Sequence, residues 1–172
     1  ERVAVYSFEE NTATLRKRCS DIGQDLEPVE RDGLMSVVPV EPLRHTPDEL
    51  DHMVRREVET NGTRLVMIDS LQGYNLAMQG DHLVERLHAL LRYLLNMGVS
   101  VLVADEISTV AGESFQVSER GISFLADTVI VLRYLELHGE MRKAIGVLKK
   151  RTGDFERTLR EFAITPGGVR VG

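Results

Sequence analysis

The sequence has little of several residue types that mark particular classes of protein. It contains no tryptophan and a single cysteine, Cys19, so no disulfide can form within the chain. A lone cysteine is typical of proteins from reducing compartments, and we therefore expect a cytoplasmic location. No apolar run approaches the ~18 residues of a membrane helix, and no charged-then-apolar signal segment opens the sequence. We expect no association with a membrane.

The chain also lacks an excess of positive charge. Its 172 residues include 21 lysines and arginines against 27 aspartates and glutamates, which gives a net charge of −6. Surfaces that bind duplex nucleic acid are usually basic. The polar segment 105–119 has no cluster of basic and aromatic side chains on which single-stranded bases could stack. A nucleic-acid partner is therefore not expected.

Apolar runs and amphipathic segments alternate along the first hundred residues. The runs are typical of strands buried on both faces, and an apolar spacing of three and four predicts helices. Strands are predicted at 2–8, 34–40, 64–69 and 99–104, and helices at 12–22, 46–61 and 80–97. Gly23, Gly62 and Gly98 are expected to end these helices. The alternation with short connections predicts a parallel sheet covered by helices.

The pattern changes in the last third of the chain. A polar loop is predicted at 105–119 and a short helix near 119–125. Strands without intervening helices follow at about 127–136, 141–150, 157–164 and 168–171, with glycine-containing turns between them. The sequence thus predicts one α/β domain over residues 1–172, a mostly parallel sheet extended by C-terminal antiparallel hairpins.

Two of the predicted parallel strands end in acidic residues. Glu9 and Glu10 follow the first strand, and Asp69 and Ser70 follow the third. Ligands of open α/β sheets bind at the carboxyl ends of the strands. Asp69 there could hold Mg²⁺ through water, and Glu9 or Glu10 could activate a water molecule. A helix cap or a solvated turn residue is the alternative, and the residues alone leave the two readings about equally supported.

Basic residues lie at the end of the strand predicted at 141–150. Lys149 and Arg151 are two apart and share a face of a strand, so they could contact a polyphosphate together. The alternative is an edge strand that lysine and arginine protect against unwanted pairing. The run Arg16-Lys17-Arg18 in the first helix is predicted to be a solvated face.

These residues resemble a known family, the KaiC-like ATPases of the circadian-clock branch of the RecA/DnaB-type P-loop superfamily. The resemblance covers essentially the whole chain. Its moderately specific motifs are VYSFEE at 5–10 and VMIDSL at 66–71, and its highly specific block is 125–164, which contains VLKKRTG at 147–153.

The resemblance implies a RecA-like three-layer sandwich that assembles into rings, usually hexamers, with ATP and Mg²⁺ between subunits. By resemblance, Glu9 and Glu10 are the catalytic glutamates and Asp69, followed by Ser70, is the Walker B aspartate. Lys149 and Arg151 are similar to residues that reach the phosphates of the neighbouring subunit's nucleotide. A regulatory or signalling role, with a signalling protein as a possible partner, is also expected.

The sequence departs from the family pattern in one large respect. No G-x-x-x-x-G-K-[ST] loop is present, so the chain is expected to begin after the Walker A strand, loop and helix and to hydrolyse little ATP by itself. Phe155 and the pair Asp105-Glu106 also stand where relatives often carry histidine and uncharged polar residues. A nucleotide-independent interaction scaffold is therefore kept as the alternative function.

Overall fold

The fold is built from a parallel and an antiparallel sheet. The computed structural model describes residues 1–78, 80–106 and 125–172. Its strands are β1 (Arg2–Ser7), β2 (Met35–Pro39), β3 (Thr63–Asp69), β4 (Ser100–Val103), β5 (Thr128–Leu137), β6 (Glu140–Lys150), β7 (Arg160–Thr165) and β8 (Gly168–Val171). Its helices are α1 (Thr12–Asp21), α2 (Glu27–Arg31), α3 (Pro47–Asn61), α4 (Leu71–Ala77) and α5 (Leu83–Asn96).

The first of two compact units holds the parallel sheet. Among the described residues it comprises 1–19 and 25–106, apart from residue 79. The strand order is β2-β1-β3-β4, and each adjacent pair is parallel. Ala4, Val5 and Tyr6 in β1 are buried, as are Val66 and Ile68 in β3. The central position of β1 and β3 explains why both read as continuous apolar runs, and it confirms the predicted parallel sheet.

The second unit holds the antiparallel strands in the order β5-β6-β7-β8. Its described residues are 20–24 and 125–172. Gly23 ends α1 with a φ of +76°, and a Cβ at that position would lie 2.4 Å from the carbonyl oxygen of Pro166. Glycine is therefore required there both by backbone conformation and by space. The predicted C-terminal hairpins are confirmed.

Two helices begin with side chains that cap their free backbone N–H groups. The Thr46 hydroxyl accepts from the backbone N–H of Glu49, whose carboxylate accepts from the N–H of Thr46, so α3 begins with a complete capping box. Asn11 accepts from the N–H of Thr14 at the start of α1. The helix predicted from residue 80 begins later, at Leu83, after His82 in the left-handed conformation.

Several expectations are wrong in detail. β4 is not buried on both faces, because it lies at the edge of the described sheet and Leu102 is 51% exposed. The apolar face of the first helix and the long helix also predict core positions for Cys19 and Met97. Cys19 is only half-buried, and Met97 is exposed because it lies beyond the end of α5. The predicted loop 105–119 after its first two residues, and the predicted helix 119–125 before its last residue, fall outside the described residues.

Candidate functional site

The carboxyl ends of β1 and β3 bring the predicted acidic residues together. The register pairs Ser7 with Asp69, and the N–H of Phe8 donates to the carbonyl oxygen of Asp69 at 2.8 Å. One residue further along each chain, the Ser70 hydroxyl donates to the carboxylate of Glu9 in a short hydrogen bond. The parallel register thus places Glu9, Asp69 and Ser70 at one edge of the sheet. The peptide bond between Asp69 and Ser70 is cis.

Ser70 links this edge to α4. It is 3% exposed, and its hydroxyl accepts from the N–H of Gly73 at 3.1 Å while it donates to Glu9. Gly73 lies against the end of β1, since a Cβ built on it would be 2.6 Å from the Phe8 Cβ and 3.2 Å from the Glu9 Cγ. The rings of Phe8 and Tyr74 meet edge to face with centroids 5.8 Å apart. These contacts hold the start of α4 against Phe8, the residue directly before Glu9.

Glu10 is held by a different set of contacts. The buried Ser7 hydroxyl donates to the carbonyl oxygen of Glu10 at 3.0 Å. The Arg18 guanidinium, two turns into α1, donates to the Glu10 carboxylate at 2.5 Å. Arg18 is 69% exposed, which agrees with the predicted solvated face, and Arg16 and Arg18 form ion pairs there with Glu30 and Glu10 respectively.

The three carboxylates interact electrostatically. Burial, followed by the negative charges of Glu9 and Glu10, raises the pKa of Asp69, and the positive charge of Arg18 partly opposes the rise. An added cation is favourable where negative charges of carboxylates lie close together. Yet within residues 1–78, 80–106 and 125–172, no three histidine, cysteine, aspartate or glutamate side chains are arranged to hold a metal ion directly.

In the same residues, no helix combines the length and apolarity needed to cross a bilayer.

The predicted basic residues lie in the second unit. Lys149, half-buried in β6, is paired in register with Val129 of β5. Arg151 follows the strand, and its N–H donates to the Asp127 carbonyl oxygen at 2.7 Å while its guanidinium lies 3.1 Å from the Asp127 carboxylate. The Lys150 ammonium instead donates to the Asp154 carbonyl oxygen at 3.2 Å. Arg151 is therefore oriented by Asp127 at the end of the β5–β6 ladder.

Sequence reasoning missed Arg18 and Gly73 as parts of the acidic site. The ion pair between Arg18 and Glu10 spans eight residues, and a signal for it existed: an acid directly before a helix with an arginine two turns in. Gly73 carries no such signal, because its role depends on the contact between α4 and β1. The short helix α4 itself could have been expected from Ser70, a favourable N-cap residue.

Comparisons with known proteins agree on one family. The family model described as "ATPase: KaiC" matches residues 1–172. The circadian clock oscillator protein KaiC of Picosynechococcus sp. is 26% identical over 99% of this chain and 33% of its own length. The circadian clock protein KaiC3 of Synechocystis sp. is 27% identical over 100% of this chain and 34% of its own length. The chain thus spans about a third of these relatives.

A solved structure agrees with the sequence relatives. The KaiC-like protein of the hyperthermophilic archaeon Pyrococcus horikoshii matches with a TM-score of 0.83 at 26% identity, over 100% of this chain and 76% of that one. Its likeness confirms the RecA-like fold expected from the sequence. With a family model that matches every residue and a solved relative of the same fold, the chain belongs to the KaiC ATPase family.

Proposed function

We propose that the chain supplies the catalytic edge of an ATP-hydrolysing, ring-forming KaiC-type protein with nucleotide at its subunit interfaces. The observation that carries this proposal is the meeting of Glu9, Glu10, Asp69 and Ser70 at the ends of β1 and β3. Glu9 is exposed and free of any ion pair within the described chain, so it is the candidate general base. Glu10 is neutralised by Arg18 and is assigned a positioning role.

The acidic edge fits a magnesium ion that is bound through water. Its donors are carboxylate and hydroxyl oxygens, which Mg²⁺ prefers, and Mg²⁺ usually keeps several water ligands. Asp69, whose pKa is raised by burial and then by Glu9 and Glu10, would hold the ion, and Ser70 would keep Glu9 close to it. When bound, the ion would neutralise charge on the phosphates of ATP. Glu9 would accept the proton of the attacking water.

Lys149 and Arg151 are proposed to contact the phosphates of nucleotide held by a neighbouring subunit. Arginine makes bidentate contacts to phosphate oxygens, and an arginine supplied from another subunit stabilises charge in phosphoryl transfer. Asp127 supports the role of Arg151 because it fixes the backbone and the guanidinium at the end of the ladder. A hexameric ring, a cytoplasmic location and a regulatory or signalling output with a protein partner belong to the same proposal.

Separate substitutions of the two glutamates test the assigned roles. In the complete protein, Glu9→Gln should lower the rate of phosphate release by about 10²–10⁴-fold, the usual contribution of a general base. Glu10→Gln should have a smaller effect, equal to that of Arg18→Gln, because both remove the same ion pair. A larger loss in Glu10→Gln than in Glu9→Gln would reverse the assignment.

The absence of the G-x-x-x-x-G-K-[ST] motif from these 172 residues supports a second candidate function. A RecA-like domain that binds no nucleotide could act as an interaction scaffold for ring assembly or signalling. Under this alternative, binding of the partner protein and the oligomeric state of the complete protein are insensitive to ATP. Size-exclusion chromatography with light scattering, with and without ATP and Mg²⁺, separates the two candidates. A nucleotide-dependent assembly rules out the scaffold.

A further inference from the structure

A surface pocket lies in the first unit apart from the acidic edge. It has a volume of about 320 Å³ and is formed by β1, β2 and α3. Tyr6, Val38 and Met53 give it a mostly apolar lining, with Arg56 and Glu57 among its polar residues. None of the residues at the ends of β1 and β3 that form the acidic edge lines it. Its volume is at the lower end of the range found for small-molecule sites.

Tyr6 lines this pocket, and its hydroxyl is a buried donor without a hydrogen-bond partner among the described residues. Tyr6 is 2% exposed, and within the described residues its hydroxyl makes no hydrogen bond. Buried polar groups without a partner are rare in proteins, and they often mark a place where a water molecule or a ligand binds. Burial, followed by the negative charge of Glu57, raises the Tyr6 pKa, so the hydroxyl keeps its proton and can donate.

The Glu57 carboxylate is already engaged by four donors of the protein. One oxygen accepts from Arg2 and Thr63, both at 2.9 Å, and from Ser36 at 3.3 Å, and the other accepts from Asn61 at 2.6 Å. The Arg2 guanidinium also balances its charge. The carboxylate is therefore mainly part of the wall, and Tyr6 and Arg56 are the donors of the lining that we assign to a ligand.

Arg56 is the second available donor. It is exposed, lines the pocket and makes no ion pair within the described part of the chain. Arg56 is a positive group on the exposed side of the pocket, and the Tyr6 hydroxyl is a neutral donor on the buried side. A ligand would therefore bind in one orientation. An anionic group would meet Arg56, a neutral acceptor atom would meet the Tyr6 hydroxyl, and an apolar body would lie against Val38 and Met53.

We propose that this pocket binds a small carboxylate that carries a neutral acceptor atom on an apolar body. The carboxylate pairs with Arg56, and the acceptor atom takes the hydrogen bond of the buried Tyr6 hydroxyl. The site is separate from the proposed ATP-hydrolysing edge and does not depend on it. Nicotinate has the required combination of a ring acceptor and a carboxylate. Benzoate lacks the acceptor, and nicotinamide lacks the charge.

The test follows the Met53 methyl signal by NMR in the complete protein during titration with each of these probes, with Met53→Leu to assign the signal. Nicotinate should give a saturable shift, and benzoate and nicotinamide should each bind about fivefold more weakly, since each loses one polar contact. No saturable shift with nicotinate, or equal binding of all three, would overturn the proposal and leave a pocket filled by water.

Two variants and one control separate the contacts. Arg56→Gln should weaken the binding of nicotinate by about fivefold and leave the binding of nicotinamide unchanged. Tyr6→Phe keeps the aromatic ring and should abolish the preference for nicotinate over benzoate. Arg92→Gln, an exposed arginine of α5 outside the pocket, should change neither. A preference that survives Tyr6→Phe, or the same weakening in Arg92→Gln, would contradict the assignment.

Discussion

At the scale of single residues, Gly73 contributes both to the packing of α4 and to the position of the candidate base, Glu9. Gly73→Ala would place a methyl group 2.6 Å from the Phe8 Cβ and 3.2 Å from the Glu9 Cγ. The Phe8 Cβ is attached directly to the backbone just after β1, so that backbone must shift. We expect a loss of about 1–3 kcal/mol in the free energy of unfolding, as for other overpacked sites. Urea unfolding monitored by circular dichroism measures it.

A glycine without close neighbours provides the control for this substitution. Gly167 has only the Thr165 hydroxyl oxygen near its Cβ position, at 3.9 Å, and is not in the left-handed region. Gly167→Ala should therefore leave the unfolding free energy within about 0.5 kcal/mol of wild type. If the two substitutions cost the same, the contact between α4 and the end of β1 does not have the stated role.

Glu57 joins four elements through hydrogen bonds from Arg2 in β1, Ser36 in β2, Asn61 in α3 and Thr63 in β3. Burial opposes its ionisation, but these bonds outweigh burial and lower its pKa below the usual 4.5. Stability from this carboxylate is therefore present above pH 4.5 and lost as pH falls through the lowered pKa. Glu57→Gln should cost about 1–3 kcal/mol at pH 7, measured by urea unfolding. An equal cost in the exposed Glu85→Gln would contradict this role.

Asp69 has the opposite pH dependence. Because burial and then Glu9 and Glu10 raise its pKa above the usual 3.8, the folded state holds the proton more tightly than the unfolded state. The stability linked to this proton is present below pH 3.8 and lost as pH rises through the raised pKa. Asp69→Asn should therefore melt at a higher temperature than wild type at pH 7, with a difference that narrows toward pH 4. A constant difference across that range would refute the coupling.

At the scale of elements, α3 shows how a local signal fixes a helix end. Thr46→Ala removes the side-chain half of the capping box and should lower the unfolding free energy by about 1 kcal/mol. Thr60→Ala changes an exposed threonine in the last turn of the same helix and should have an effect below about 0.5 kcal/mol. Chemical denaturation of both variants measures the difference in the free energy of unfolding. A larger loss in Thr60→Ala than in Thr46→Ala would contradict the stabilising role of the cap.

The elements also show what the sequence can and cannot predict. β1, β3, α3 and α5 were predictable because buried apolar runs and amphipathic spacing are properties of the local sequence. α2 and α4 are five and seven residues long, too short for a periodic pattern. The exposure of Leu102 depends on the position of β4 in the sheet, which no local pattern encodes.

The acidic site shows the same division. Strand ends followed by acids predicted that Glu9 and Asp69 would lie close together, and the parallel register of β1 and β3 brings them there. The separate partners of the two glutamates, Ser70 for one and Arg18 for the other, follow from side-chain contacts across elements. The spacing of residues in the sequence does not predict such contacts between distant parts of the chain. These contacts give Glu9 and Glu10 different surroundings.

At the scale of the whole molecule, the family model and the solved relative agree on one fold. The KaiC family model covers every residue, and the described strands combine a parallel sheet with antiparallel hairpins. The acidic residues belong to the first unit and the basic pair belongs to the second. If the proposed ring forms, each nucleotide would contact acidic residues of one subunit and Lys149 and Arg151 of the next.

This arrangement predicts complementation between two defective subunits. Equal mixing of a Glu9→Gln, Glu10→Gln subunit with a Lys149→Ala, Arg151→Ala subunit should restore part of the phosphate release that each lacks alone. The reason is that some interfaces in the mixed ring then pair an intact acidic edge with an intact basic pair. Glu136→Gln changes an exposed glutamate of β5 and serves as the control. A subunit with this substitution should release phosphate at the wild-type rate. Mixed rings without any recovered activity would place both sets of residues in one subunit.

The rate of phosphate release from ATP by the complete protein tests the central claim most directly. The account predicts measurable turnover in wild type and in Glu136→Gln, and a loss of at least about 10²-fold when Glu9→Gln and Glu10→Gln are combined. ATP binding by the double variant should persist. Turnover that is unchanged in the double variant, or a complete protein that binds ATP without ever hydrolysing it, would contradict the account.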